Sequence, residues 1–303
     1  MASSIARTSA FPNSTTLRGI HMVAFHHWTQ RDPVGRGLFN VYESDQSKEH
    51  TLTMGGAGLF DNKAEGAALD YTSLNEGFLQ TYTYEDFSKG FRVTRRQYIN
   101  DLYQSMDKHA AELGRMAYAT EETQLAKVFN DGFSGVVTTP DGNSVFNTAH
   151  TREDGGVIQN RLSSDADLSR TSLEQVLINF RDFRDGGGKR LQIKPTTLLT
   201  AADNVFNAWT ILGSSHQPEN DSNAINPVNS LGLSHVVWDY LTDADAWFVL
   251  SDKSDHMLQL YNREEFWTEH IYDFDTKDIK FSGMFGQSSG VGDPRGIYGT
   301  DGA

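Results

Sequence analysis

The sequence predicts an α+β fold, helices first and antiparallel strands late. Three observations predict it. Apolar residues recur at helical spacing through residues 94–130, at Ile99, Leu102, Tyr103, Met106, Ala110, Leu113 and Ala117. Residues 51–87 switch to a period of two, and after residue 234 short apolar runs follow one another closely. No repeat of 20–50 residues is visible.

The 303 residues allow one large domain or two modest ones, and 38% apolar with 11% aromatic residues suffices for a core. A net charge of −14 argues against a dominant polyanion-binding surface, which needs clustered Lys and Arg. The acid is uneven: 239–280 holds eleven Asp/Glu against four Lys/Arg, a net of −7 and half the excess. Such a run is a solvated face, and it also keeps a surface off nucleic acid. With no cysteine, disulfides, thiolate metal sites and Cys nucleophiles are excluded, which fits a reducing compartment. The start lacks a signal peptide's apolar core, and no run of about 18 apolar residues predicts a membrane span, so a soluble, cytosolic product is expected.

In chain order, residues 1–45 are rich in Ser, Thr, Asn and Gly and read as an extended arm with little fold of its own. Alternation at Leu52 and Met54, then at Phe78, Gln80, Tyr82 and Tyr84, predicts a long two-stranded hairpin with a broad polar tip over 61–77. Alone it is marginal in water and needs another surface. Thr94 with Gln97 reads as a capping box opening a helix to Asn130, roughly 55 Å at 1.5 Å per residue if continuous, with a restart allowed at Thr120. Asn130-Asp131-Gly132 stops it. A second helix is predicted from a Thr171/Glu174 capping box, burying Leu173, Val176, Leu177, Phe180 and Phe183 and ended by Gly186-Gly187-Gly188. A short strand over 191–194 stops at Pro195. A third helix, about 201–212, carries Val205, Phe206, Trp209 and Leu212. Strands follow at 235–238, 247–250, 257–261, 266–274 and 279–285.

Chemistry is sparse. Gly286-Gln287-Ser288-Ser289-Gly290 fits G-x-S-x-G, yet a nucleophile elbow needs a following helix and a later acid and His. The last histidine is His270, upstream, so the match reads as a glycine-rich turn. Asp273, Asp275 and Asp278 miss the EF-hand pattern, because Lys277 takes the third ligand position. Glu264, Glu265 and Glu269 offer acid pairs without a mark of burial. His21, His26 and His27 lack the H-E-x-x-H pattern. Gly55-Gly56-Ala57-Gly58 completes no phosphate loop. His150, near Glu153 and Asp154, is the histidine most worth checking, with a hydrogen-bonded structural role expected. No catalytic, cofactor-binding or metal-ligating residue is assigned.

Four stretches in order resemble the major capsid (head) protein of tailed double-stranded DNA bacteriophages, the Mu-like head subunits most of all. Residues 84–95 running into Ile99-Asn100-Asp101 look like the return strand of the family's extended loop entering its spine helix. Val128-Phe129-Asn130-Asp131-Gly132-Phe133, then Asp141-Gly142 and Val145-Phe146-Asn147-Thr148-Ala149-His150, are similar to the run after that helix. Residues 193–202, with Pro195, resemble the approach to the axial domain's later strands. Residues 245–252, Arg263, Asp273 and the ending Gly290-Val291-Gly292-Asp293-Pro294-Arg295-Gly296-Ile297-Tyr298-Gly299 look like the terminal strands. The likeness covers about residues 80–300.

The resemblance implies a tailed-phage major capsid fold. It would comprise an N-terminal arm 1–45, an extended hairpin loop 46–93, a spine helix of the peripheral domain 94–134, an inserted axial domain 135–250 and returning peripheral strands 251–303. It implies a non-enzymatic shell subunit without cofactors, self-assembling into pentamers and hexamers of an icosahedral head in the host cytoplasm. Such a head encloses double-stranded DNA without sequence-specific binding or a membrane. Some relatives carry a scaffolding domain before the arm. Residues 1–45 leave no room for one, so a separate scaffolding protein is expected, with a portal. Some relatives also crosslink a loop Lys to a neighbour's Asn. Lys63 lies in the loop, but no partner Asn is matched and no bond is carried over. An encapsulin-type nanocompartment shares the fold and would enclose cargo enzyme instead. A serine hydrolase using Ser288 is the alternative of another class.

Overall fold

The computed structural model describes residues 14–303 apart from 57, 61, 67, 70, 72–75, 101–104 and 217–224. Its elements run α1 (Ser14–Thr29), α2 (Val34–Leu38), β1 (Asn40–Glu43), β2 (Lys48–Met54), β3 (Glu76–Thr83), β4 (Glu85–Val93), α3 (Arg95–Ile99), α4 (Ser105–Asn130), β5 (His150–Thr151), β6 (Val157–Ile158) and α5 (Arg170–Phe180). Then come β7 (Pro195–Thr200), α6 (Val205–Gly213), β8 (Ser234–Val237), β9 (Trp247–Ser251), β10 (Leu258–Tyr272), β11 (Ile279–Val291) and β12 (Ile297–Thr300).

Two four-stranded sheets organise the chain. The first has the order β1-β10-β11-β4, with β1 parallel to β10 and the other pairs antiparallel. Register shifts on β10 between Asn262 and Trp267 bend that long strand. The second has the order β12-β9-β7-β8, parallel only between β7 and β8. Its central β9 is buried at every residue, as the unbroken run Trp-Phe-Val-Leu requires. β2 and β3 form a separate hairpin.

α4 joins the sheets. Its first half packs Met106, Ala110, Leu113 and Ala117 with Ile20 and Ala24 of α1 and with Phe266, Ile279, Phe281 and Phe285 of the first sheet. Its second half, Leu125 to Phe129, enters a core with Phe39, Phe146, Trp238, Phe248 and Leu258 that touches both sheets. A third core lies under α5, with Leu173, Val176, Leu177, Phe180 and Phe183 against Leu198, Val249 and Tyr298.

Several expectations change. Residues 14–29 are not an extended arm: they form a helix lying along α4, because Ile20, Ala24 and Trp28 recur at helical spacing. Gly114 permits this, since a Cβ there would stand 2.1 Å from the Ala24 carbonyl oxygen. The predicted single helix over 94–130 has two parts. The Thr94/Gln97 capping box opens the five-residue α3, which ends at Ile99 with Asn100 as its C-cap, and α4 spans Ser105–Asn130. Ile99 is exposed, while Leu102 and Tyr103 lie outside the described residues. α4 runs unbroken through Thr120 and is about 39 Å long.

α5 is capped by Ser169 and Ser172 and not by Thr171 and Glu174, and it ends at Phe180, before the triple glycine. Pro195 opens β7 instead of stopping a strand, the position where its missing N–H costs least. On α6 the buried residues are Ala208 and Ile211, whereas Phe206 and Trp209 face outward. β12 lies in the ending that resembles the family's terminal strands, although alternation alone does not predict it. The run Gly286 to Gly290 is no turn but the interior of β11.

Candidate functional site

Each side chain singled out for chemistry has a structural place. Ser288 sits in β11 opposite Tyr261 of β10, followed by strand and not helix, so no nucleophile elbow exists there. Glu264, Glu265 and Glu269 are exposed on β10. Asp273 accepts from Lys280 Nζ at 2.9 Å and Asp278 from Arg92 Nε at 2.6 Å; both pairs pin the turn between β10 and β11. His26 is exposed and His27 half-buried, and Lys63 is exposed. Among the described residues, no group of three His, Asp or Glu stands close enough to hold a metal. No helix among them is long and apolar enough to cross a membrane.

His150 is fully buried. Its Nδ1 lies 3.0 Å from Asp141 Oδ2 and its Nε2 3.0 Å from Asn160 Oδ1. The Asn160 amide donates to the Val145 carbonyl at 2.8 Å, which orients its oxygen toward the imidazole. Asp141 also accepts from Asn143 Nδ2 and the Thr151 N–H. Burial would raise the Asp141 carboxyl, but the bonds from His150, Thr139 and Asn143 outweigh it and hold it well below the usual range. The network closes the 139–160 loops around a fully buried imidazole.

A second buried polar hub, missed in the sequence, is Glu121-Glu122 on α4. Glu122 accepts from the Gly35 N–H at 3.1 Å and from Trp238 Nε1 at 2.6 Å. Glu121 takes Arg36 Nε and, at 3.3 Å, Trp28 Nε1. The pair ties α1, α2 and the 238 loop to α4. An adjacent acid pair inside an apolar helical stretch was the available signal.

The remaining candidates are surfaces. The hairpin's base is anchored on its own chain: buried Tyr82 donates to Gln259 Oε1 at 2.7 Å and its ring lies 5.0 Å from that of Tyr261. Thr51 Oγ1 donates to the same Gln259 oxygen at 2.9 Å. Beyond Met54 the chain passes the 184–190 turn at backbone contact; a Cβ on Gly186 would stand 2.9 Å from the Gly55 Cα. Further out, every described residue of 59–71 is exposed, with Phe60 and Tyr71 nearly fully so and Leu59 and Leu69 beside them. Apolar groups concentrated at the end of an anchored hairpin mark an association surface. α6 adds Phe206 and Trp209, 83% and 74% exposed. Between α4 and the first sheet runs a mostly apolar groove of about 430 Å³, walled by Leu113, Met116, Phe266 and Phe285.

Two sheets joined by one long helix carry a hairpin that is anchored at its base and exposes Leu59, Phe60, Leu69 and Tyr71 beyond it. The family model described as phage capsid protein matches residues 79–300. The chain belongs to that family, and it is a structural major capsid subunit of the virion. Among solved structures the fold is similar to Microbacterium phage Oxtober96, at 11% identity and TM-score 0.57 over 90% of this chain and 92% of that one. It is similar to the capsid structure of the cyanophage P-SCSP1u, at 11% and 0.58 over 88% and 86%. It is also similar to a virus-like particle from Pyrococcus furiosus, at 10% and 0.53 over 94% and 99%. No curated protein matches by sequence.

Proposed function

We propose that copies of this chain assemble into pentamers and hexamers of a closed icosahedral head that encloses double-stranded DNA, in the host cytoplasm and without catalysis. The carrying observation is the hairpin: a base fixed to its own chain and an apolar end exposed in the single subunit. Each apolar side chain fully covered by a neighbour returns about 1.5–3 kcal/mol, from which ordering and association costs are subtracted. The groove between α4 and the first sheet has matching apolar character, and a neighbour's hairpin is expected to cover it. On the family resemblance we further propose an N-terminal segment 1–45 that carries α1 and α2, loop 46–93, spine region 94–134, axial domain 135–250 and returning strands 251–303, and the Mu-like branch. The net charge of −14 suits a wall that does not adsorb its genome. A scaffolding protein and a portal are the partners the family resemblance suggests.

Removing residues 61–77 and closing the gap with a short turn tests this. The expected variant folds with unchanged circular dichroism but yields no closed shells by negative-stain microscopy. Normal shells from it would refute the role given to the hairpin. The nucleic acid in purified particles separates a genome container from a cargo compartment, which would hold protein instead.

A further inference from the structure

α1 is held on the first sheet by a pair of histidines. His21 Nε2 lies 2.9 Å from His270 Nδ1 of β10, and His21 Nδ1 lies 2.5 Å from Thr268 Oγ1. The two rings are 5.1 Å apart, and both are tilted against Phe281 of β11, with centroids 6.1 and 5.8 Å from its ring. A hydrogen bond between two imidazole nitrogens needs one proton and one lone pair. One proton shared across the pair satisfies it. When both rings are cationic each facing nitrogen carries a hydrogen, the bond is lost and two positive charges face each other at contact distance.

Among the described residues, no acidic side chain bonds to the pair to offset that second charge. β10 contributes Tyr272, whose ring centroid is 6.1 Å from that of His270, and the exposed Glu269 alternates to the opposite face from His270. β11 contributes the apolar Phe281, and its Lys280 is engaged with Asp273. From β4 comes Phe91, stacked on Phe281, with His109 of α4 against Phe91. The other charged side chains at this end of α4, Asp107, Lys108 and Glu112, are exposed. On α1 itself His26 and His27 pair with each other more than a turn away. Among the described residues no carboxylate bonds to either ring of the pair.

We propose that the His21–His270 contact is an acid-sensitive latch which holds the N-terminal helix on the first sheet at neutral pH and releases it when both rings are protonated. Burial, and then the charge of His270, hold the His21 imidazole below its ordinary value of 6.5. A histidine with a depressed folded-state value contributes stability that is present above the unfolded value and lost as pH falls through the folded one. Docking of α1 therefore weakens below about pH 6.5. Ile20 in the core with α4, Ala24 on Gly114 and Trp28 on Glu121 hold the helix beside the pair, so losing the histidine contact loosens its docking on the sheet. The latch is a property of one chain and does not rest on how copies associate.

Hydrogen–deuterium exchange of the full chain at pH 7.5 and 5.0, corrected for intrinsic rates, reads the latch. The peptide over residues 14–29 is expected to lose protection by more than about twofold at the lower pH, while the peptide over 170–180 holds steady. In the double variant His21→Gln, His270→Gln, α1 protection changes by less than about twofold between the two pH values. Equal losses in the wild type and the variant, or no loss in the wild type, would overturn the proposal. If the double variant does not fold, imidazole C2-hydrogen exchange on the unsubstituted chain decides. His21 should titrate below 6.5, and a midpoint at or above that value removes the latch.

Discussion

Glu122 shows why a single buried side chain fixes where the N-terminal segment lies. Burial raises its carboxyl above the ordinary value, against the opposing pull of the bonds from Trp238 and Gly35. An acid raised in this way contributes most when protonated, and that contribution fades as pH rises through the folded value. Its worth lies in the donors it satisfies. Glu122→Leu would leave the Gly35 N–H and the Trp238 Nε1–H buried without acceptors, a loss of about 2–5 kcal/mol. Glu122→Gln keeps one acceptor oxygen and should lose less than half as much. Urea denaturation of both variants measures the difference, and near-equal midpoints would show that the two donors find other partners. Asp141 has the opposite sign. Its depressed carboxyl gives stability that is present above its ordinary value of 3.8 and lost as pH falls through the folded value. Asp141→Asn should cost about 2–4 kcal/mol at pH 7, and its melting temperature should fall less steeply in acid than the wild type's. Parallel pH profiles would show that the His150 network does not carry that dependence.

At the scale of elements, the α1–α4 crossing depends on Gly114. Gly114→Ala puts a methyl against the Ala24 carbonyl, backbone that cannot step aside, and should cost about 1–3 kcal/mol. Exchange in residues 14–29 should rise at every pH, unlike the acid-specific loss expected of the histidine latch. Unchanged exchange would mean that α1 shifts along α4 without loss. The same crossing explains what could be read from the sequence. The apolar faces of α4 and α5 were legible because Met106, Leu113, Leu173 and Phe180 repeat with a clean period against polar neighbours. α1 was not, because Ser, Thr, Gly and three histidines hide a stripe of Ile20, Ala24 and Trp28. α6 misled for a physical reason: its largest apolar residues, Phe206 and Trp209, point away from the chain's own core, which Ala208 and Ile211 enter. Period alone cannot tell a core face from an association face. The Gly286–Gly290 run read as a turn because glycines usually break strands, yet Gly290 in β11 passes beneath Tyr82, where a Cβ would stand 2.9 Å from the ring.

For the whole molecule, the exposed apolar residues sort by what must cover them. The hairpin end and α6 lie in separate parts of the chain, so each needs its own partner surface. Phe206 and Trp209 stand three residues apart on one helix face and add little to the subunit's own stability at 83% and 74% exposure. Phe206→Ser with Trp209→Ser should therefore move the unfolding midpoint of the isolated subunit by no more than about 0.5 kcal/mol. If copies meet through α6, the same variant loses two aromatic anchors per contact, about 2 kcal/mol or more for each. Because every copy in a closed shell repeats the contact, the concentration needed for assembly should rise more than tenfold. Light scattering against subunit concentration reads this directly. An unchanged assembly threshold with an unchanged unfolding midpoint would show that α6 faces solvent in the shell and that the hairpin and groove carry the association without it.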